Sequence, residues 1–152
     1  MAESDTNPVS TLGVIGAGTM GHGIAQTAIL AGVATTLIDI DSAALERALE
    51  SIGKGLERLV SRDRISDDDR NAALARLQTS SEMTALATVD AVIEAASERL
   101  ELKRTIFEQI DAVADKALFI ASNTSSIPIQ QIAVALAPER RARAVGLHYF
   151  NP

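Results

Sequence analysis

Gly16-Ala17-Gly18-Thr19-Met20-Gly21 is the segment that most narrows what this chain can become. It stands where one periodicity gives way to another. Thr11 to Ile15 before it is a short apolar run with the character of a buried strand. Thr19 to Ala31 after it carries Ile24, Ala28 and Ala31 at helical spacing. A strand can enter a helix over so few residues only if the turn is tight and the helix packs close. Gly16 permits the turn, Gly18 leaves backbone accessible at the helix start, and Gly21 lets helix and strand approach. A second β-branched run, Thr35 to Ile38, follows on time.

The alternation continues along the chain. Ser42 is placed to cap a helix from about Ala43 to Val60, with Leu45, Leu49, Ile52, Leu56, Leu59 and Val60 along it. After a charged turn at Ser61 to Arg64, Ser66 precedes Asp67, Asp68 and Asp69, acids that a helix dipole favours in its first turn. That helix runs on through Asn71 to Leu77 and pairs with the previous one as an antiparallel hairpin. Further strands are expected at Leu77 to Ser81, Asp90 to Ala95, Ala117 to Ala121 and Ala144 to Leu147. Helices are expected at Leu100 to Ala114 and Ile129 to Leu136. Strands alternating with helices build a mainly parallel sheet covered on both faces. The expected fold is therefore α/β, a Rossmann-type doubly wound sheet with a helical-hairpin insertion after the second strand. Residues 1–10 read as a flexible tail and 11–152 as one domain.

Composition removes several classes of function. The net charge of −6 and an aromatic content of 3% leave neither the cationic surface nor the stacking platforms that nucleic acid needs. The one basic cluster, Arg140, Arg141 and Arg143, reads as a solvated loop before a strand. No apolar stretch approaches a membrane span. Cysteine is absent, and the two histidines, His22 and His148, lack ligand spacing, so no metal site is expected. The polar N-terminus has no secretory pattern, which makes the cytoplasm the expected compartment.

Asp39 ends the second strand, 18 residues after Gly21. An acid there can accept hydrogen bonds from both hydroxyls of an adenosine ribose, while the helix N-terminus receives a pyrophosphate. The same acid repels a 2′-phosphate, and no Arg or Lys between Ser10 and Leu45 compensates. The expected cofactor is NAD rather than NADP. His22, in the first helical turn, reads as an exposed or packing histidine.

Three polar segments follow strands at their carboxyl ends: Glu94 to Glu98, Ser122 to Ser126, and His148 to Pro152. Taken singly, each can be a turn or a satisfied core group. Together they bring a titratable base and several hydroxyl and amide groups to one sheet edge, the set that hydride transfer from an alcohol requires. Ser125 has no neighbouring base in sequence and no G-x-S-x-G context, so it does not read as a nucleophile.

Three of these segments together carry a resemblance: Gly16 to Gln26, Ser122-Asn123-Thr124-Ser125-Ser126, and Gly146-Leu147-His148-Tyr149-Phe150-Asn151-Pro152. From about Leu12 to Pro152 the chain resembles the NAD-binding domain of L-3-hydroxyacyl-CoA dehydrogenases, most of all the bacterial 3-hydroxybutyryl-CoA enzymes. The resemblance implies reversible NAD-dependent oxidation of a short-chain L-3-hydroxyacyl-CoA to the 3-ketoacyl-CoA, a step of fatty acid β-oxidation. His148 would be the acid/base. Ser125 would hold the substrate oxygen near the nicotinamide, and Asn123 would be a conformational or substrate-contacting neighbour. The loop Gly16, Ala17, Gly18, Thr19, Met20 and Gly21 would hold the cofactor with Asp39, Glu98, Lys103, Ser125 and Asn151. Arg62 would meet a CoA phosphate, while Gly55 stands where relatives carry a serine for that purpose. The family also implies a homodimer and a second, helical domain that supplies a glutamate orienting the histidine and an asparagine lining the site. The stop after Asn151-Pro152 therefore reads as an excised domain, and these residues alone are expected to turn over poorly. Two other functions fit the same motifs: a dinucleotide-binding module without catalysis, and a related 3-hydroxyacid or gulonate-type dehydrogenase that does not use CoA.

Overall fold

The computed structural model describes residues 9–150. Six parallel strands form one sheet: β1 (Thr11–Ile15), β2 (Ala34–Ile38), β3 (Leu77–Ser80), β4 (Ala91–Glu94), β5 (Phe119–Ser122) and β6 (Ala144–Gly146). Their order across the sheet is β3-β2-β1-β4-β5-β6. The helices are α1 (Thr19–Leu30), α2 (Ser42–Ser61), α3 (Asp67–Leu74), α4 (Leu100–Val113) and α5 (Ile129–Ala133). Two 3-10 segments, Met83–Leu86 and Pro138–Arg143, complete the path. The Rossmann-type expectation holds, and α2 with α3 is the insertion after the second strand.

Neighbouring residues of one strand face opposite layers, as the period of two requires. Leu12, Val14, Leu37, Ile93 and Ala121 pack under α1, α2 and α3, with Ile24, Ile29, Ile52 and Leu56. Ile15, Ile38, Val92 and Ile120 pack on the other side against Ile106, Phe107 and Ile110 of α4 and Ile132 of α5. The central strands are consequently apolar on both faces, which is why they read as continuous runs.

Local chemistry moved several boundaries. Asp41, not Ser42, caps α2: its carboxylate accepts from the Ala43 N–H at 2.9 Å, and Ser42 is the first helical residue. Along α1 the buried face is Gly21, Ile24, Ala25 and Ile29, while Ala31 is exposed at the C-cap. On α2, Ala48 takes the inward place and Leu49 is 41% exposed. The cap at Ser66 is present as a full capping box with Asp69, but α3 stops at Leu74. It stops there because the carbonyl of Arg76 is needed to receive the Thr35 N–H and start β3. β5 begins at Phe119 because Ala117 closes a turn onto Ala114, and it extends to Ser122, which pairs with Glu94. Ser10 belongs to the fold: its N–H and hydroxyl both donate to Asp90 at 2.9 Å.

The arginine cluster is not a solvated loop. Arg140 is buried and donates to the Asp111 carbonyl and carboxylate at 2.8 Å and to the Ala114 carbonyl at 2.6 Å. Arg141 donates to the carbonyls of Val134 and Leu136, and Arg143 to those of Asp115 and Ala117. These carbonyls lie at and just beyond the C-terminal ends of α4 and α5, where the helix leaves acceptors unpaired and its dipole favours cations.

Candidate functional site at the carboxyl ends of the strands

The sheet order reverses direction beside β1, with β2 on one side and β4 on the other. The loops leaving β1 and β4 therefore diverge, and a crevice opens at their carboxyl ends. Its volume is about 860 Å³, and Gly16, Gly18, Asp39, Ile40, Met83, Ala95, Ala96, Leu102 and Ile106 are among the residues lining it.

On the glycine side, Gly16 has φ +100°, a conformation that favours glycine. Its N–H donates to the Ile38 carbonyl at 2.8 Å, tying the turn to β2. A Cβ on Gly21 would lie 1.6 Å from the Gly16 carbonyl oxygen, so α1 begins in direct contact with the turn. Gly18 is the N-cap of α1 and no side chain caps that end. A Cβ on Gly18 would have nothing within 4 Å. The first N–H groups of α1 have no side-chain cap, and no acid in the first turn competes for them. His22 keeps a local role: its Nδ1 donates to the Gly18 carbonyl at 2.9 Å.

Asp39, at the end of β2, is hydrogen-bonded directly to the glycine turn. One carboxylate oxygen accepts from the Ala17 N–H at 2.8 Å and the other from the Asp41 N–H at 2.9 Å. Each oxygen retains a lone pair for a further donor. Ile40, next to it, is 92% exposed, and together with Ala95, Leu102 and Ile106 it makes the crevice apolar beside the acid.

Beyond β4 and β5 the site becomes polar. Glu94 is fully buried and its carboxylate receives the Lys103 ammonium at 2.8 and 3.0 Å. It also receives the Ala96 N–H at 2.6 Å and the Ser122 hydroxyl at 2.5 Å. Above this pair, Glu98 Oε1 accepts from the Thr124 hydroxyl, the Ser125 and Ser126 N–H groups at 3.2 Å, and the Ser126 hydroxyl at 3.1 Å. Partial burial pushes the Glu98 carboxyl upward. The hydrogen bonds from Thr124 and Ser126 and the charge of Lys103 outweigh it and hold it down at about 2. Ser125 is exposed, and its hydroxyl has no partner among the described residues. Asn123 Oδ1 accepts from the Tyr149 N–H at 2.8 Å, which ties the segment after β6 to the end of β5. His148 is exposed on that segment, its ring edge-on to Phe150 with centroids 4.7 Å apart.

The structure thus brings Gly16 to Gly21, Asp39, Glu98, Asn123, Ser125 and His148 to one edge of the sheet. Lys103 lies beneath that edge, 1% exposed and paired with Glu94. Arg62 is not brought there: it is the C-cap at the far end of the 20-residue α2, about 30 Å along the helix axis from Asp41. Gly55 packs against α1, where a Cβ would come within 2.3 Å of Gln26 Oε1. Asn151 lies outside the described residues. Sequence reasoning placed Glu94 and Ser122 in its polar segments without giving either a role, and missed the apolar lining from α4. Leu102, Ile106 and Val113 stand at helical spacing along α4; Ile106 is buried, and all three line the crevice. Glu94 did leave a signal, a carboxylate closing an apolar strand with a lysine nine residues later.

Comparison with known proteins bears on this geometry. The family described as "3-hydroxyacyl-CoA dehydrogenase, NAD binding domain" matches residues 11–152. The chain is 44% identical over 145 residues to the 3-hydroxyadipyl-CoA dehydrogenase of Escherichia coli (strain K12), covering 95% of this chain and 30% of that protein. It is 39% identical over 144 residues to the 3-hydroxybutyryl-CoA dehydrogenase of Bradyrhizobium diazoefficiens, covering 95% of this chain and 48% of that one. Among solved structures, the (S)-3-hydroxybutyryl-CoA dehydrogenase of Ralstonia eutropha superposes with a TM-score of 0.89 at 39% identity. That match covers 94% of this chain and 50% of the other. The chain therefore spans about half the length, or less, of these relatives.

Proposed function

The chain belongs to the 3-hydroxyacyl-CoA dehydrogenase family as its NAD-binding domain, and from that premise we propose that it carries the cofactor and the acid/base for interconverting a short-chain L-3-hydroxyacyl-CoA and its 3-ketoacyl-CoA. The observation that carries the reading is the placement of Ser125 and His148, both exposed, after the neighbouring strands β5 and β6, at the same carboxyl edge of the sheet as the uncapped start of α1.

The residues present fit NAD. The uncapped helix start and the open space at Gly18 suit a pyrophosphate. Asp39 offers free lone pairs to a ribose, and the apolar wall of Ile40, Ala95, Leu102 and Ile106 suits a flat base. When bound, NAD supplies the acceptor for the hydride. The protein's part is positional and protonic. In the oxidation direction His148 takes the proton of the 3-hydroxyl, and in the reduction direction it returns one. The Ser125 hydroxyl, left free by the surrounding hydrogen bonds, donates to the substrate oxygen as carbonyl character develops there. Asn123 keeps the histidine segment against β5 through the Tyr149 N–H. Arg62, exposed and without a side-chain partner among the described residues, is assigned to a CoA phosphate. The pantetheine arm separates the phosphate end of that carrier from its acyl end, so one ligand engages both places. We place the reaction in the cytoplasm, a compartment that the cysteine-free composition suits. Among the described residues no helix is long and apolar enough to cross a membrane.

The test pairs direct NADH binding with loss of NADH absorbance on acetoacetyl-CoA. Asp39→Ala is expected to weaken NADH about tenfold, the loss of a charge-assisted pair of hydrogen bonds; unchanged affinity sinks the ribose assignment. His148→Ala is expected to keep NADH affinity and lose turnover. NADH binding by the unaltered chain without any turnover would assign it the cofactor-binding half of the reaction alone. No NADH binding would overturn the reading.

A further inference from the structure

Glu94 is an expensive residue in its position. It is fully buried between Ile15 on β1 and Ser122 on β5, at the carboxyl ends of the central strands. A buried ion pair of this kind gains little stability over apolar side chains of the same shape. What the pair supplies is fixed direction. The Lys103 ammonium has three groups to donate to, and all of them belong to the end of β4 and the loop that follows it. They are the Glu94 carboxylate, the Ala96 carbonyl at 3.2 Å, and Glu98 Oε2 at 3.5 Å. Lys103 thus ties a carboxylate on the rigid strand to a carboxylate on the loop above it. Glu98, held there, gathers the donors of Thr124, Ser125 and Ser126 on its other oxygen.

A second connection reaches the same loop from its root. The Ser122 hydroxyl donates to Glu94, and the Asn123 N–H donates to the Glu94 carbonyl at 2.8 Å. The loop from Ser122 to Ser126 is therefore fastened to Glu94 directly at its root and, through Glu98 and Lys103, at its far end. Every side-chain hydroxyl in it is committed inward except that of Ser125.

We infer that Glu94 is a positioning residue that, through Lys103, Glu98 and Ser122, presents the Ser125 hydroxyl to the nicotinamide end of the crevice. The inference rests on the proposed function for the identity of what Ser125 faces. It takes no proton from substrate and touches no ligand, so its removal acts only through the loop. The adenosine end depends on the glycine turn and Asp39, which Glu94 does not contact through its side chain.

That separation supplies the test. Glu94→Gln with Lys103→Met removes both charges at once and leaves neither buried alone. NADH and ADP-ribose affinities are measured on the full chain, together with amide exchange. The expected result is NADH binding weakened about tenfold with ADP-ribose affinity held within about twofold. Exchange should quicken at Ser125 and Ser126 while the Val14 and Leu37 amides stay protected. A role confined to packing moves both affinities together or neither. Affinities that change in step, or unchanged exchange at Ser125 and Ser126, overturn the inference. Should the double variant not fold, Ser122→Ala removes the root connection alone and is expected to give the same split at smaller amplitude; its absence there is equally decisive. If the unaltered chain bound neither ligand, the proposed function would fall, while the exchange comparison would still decide this point.

Discussion

Substituting Gly21 with alanine adds one methyl group at the point where α1 meets the turn. The new Cβ would stand 1.6 Å from the Gly16 carbonyl oxygen and 2.8 Å from its carbon. Ordinary contact lies near 3.5 Å, so the two backbones must part by about 2 Å. The turn cannot retreat. Gly16 is tied to Ile38, and behind it the Ala95 carbonyl already lies within 2.7 Å of where a Gly16 Cβ would be. The helix must move instead and take Ile24, Ala25 and Ile29 out of register with the sheet. A cost at the upper end of overpacking follows, about 3 kcal/mol. For a domain of this size that lowers Tm by about 10 °C. Gly18→Ala is the control. Its φ of −74° and ψ of −168° are ordinary extended backbone, and nothing lies within 4 Å of the added methyl. A glycine-to-alanine change at an N-cap costs less than about 1 kcal/mol, so Tm should fall by no more than about 3 °C. The methyl nevertheless occupies space over the helix start, and NADH affinity is expected to drop about tenfold or more. Thermal unfolding by circular dichroism and NADH titration read the two effects separately. A Gly21→Ala protein melting with the unaltered chain, or a Gly18→Ala protein less stable than Gly21→Ala, refutes the reasoning.

Acid should destabilise this fold in a defined window. Glu98 and Asp90 are both held down at about 2, Asp90 chiefly by the Ser10 N–H, with the Ser10 and Thr11 hydroxyls and the Thr11 N–H adding to it. A carboxyl lowered on folding adds stability above its unfolded value, 4.5 for Glu98 and 3.8 for Asp90, and that stability is lost as pH falls toward about 2. Tm is therefore expected to fall between pH 5 and pH 2, with a shallower slope in Glu98→Gln. A Tm constant down to pH 3 contradicts it. At the other end of the molecule, Arg140→Met removes the donors to Asp111 and Ala114 from a buried site. It should cost about 2–3 kcal/mol in urea unfolding. Arg141→Ala and Arg143→Ala, both exposed, should each cost less than about 1 kcal/mol; equal effects of all three would contradict the burial argument.

Much of the site was legible because its parts are local in sequence. A turn that demands glycine, a helix start that offers N–H groups and an acid at the next strand end all lie between Gly16 and Asp39, and their spacing alone joins them. The Ser66 capping box was readable for the same reason, since its partners are three residues apart. Asp41 as the cap of α2 was not, because either Asp41 or Ser42 has the chemistry and only the backbone path decides which carboxylate or hydroxyl reaches an N–H.

Alternating apolar runs and helical stripes determined, without any structure, that this chain makes a parallel sheet with layers on both faces, and the glycine turn with Asp39 determined where a dinucleotide would lie. Tertiary structure alone decided what the charged residues do. In sequence Lys103 reads as a cofactor contact implied by resemblance, and Arg140 as part of a solvated loop. The fold buries both, one against Glu94 and the other against Asp111 and the end of α4. A charge's place depends on which carboxylates and carbonyls arrive from distant segments, and that is set only when β4, α4 and the segment before β6 pack together. The free hydroxyl of Ser125 is decided in the same way. Thr124, Ser125 and Ser126 follow one another just after β5 with little in sequence to rank them; it is Glu98, held over the loop, that claims the hydroxyls of Thr124 and Ser126 and leaves that of Ser125 free.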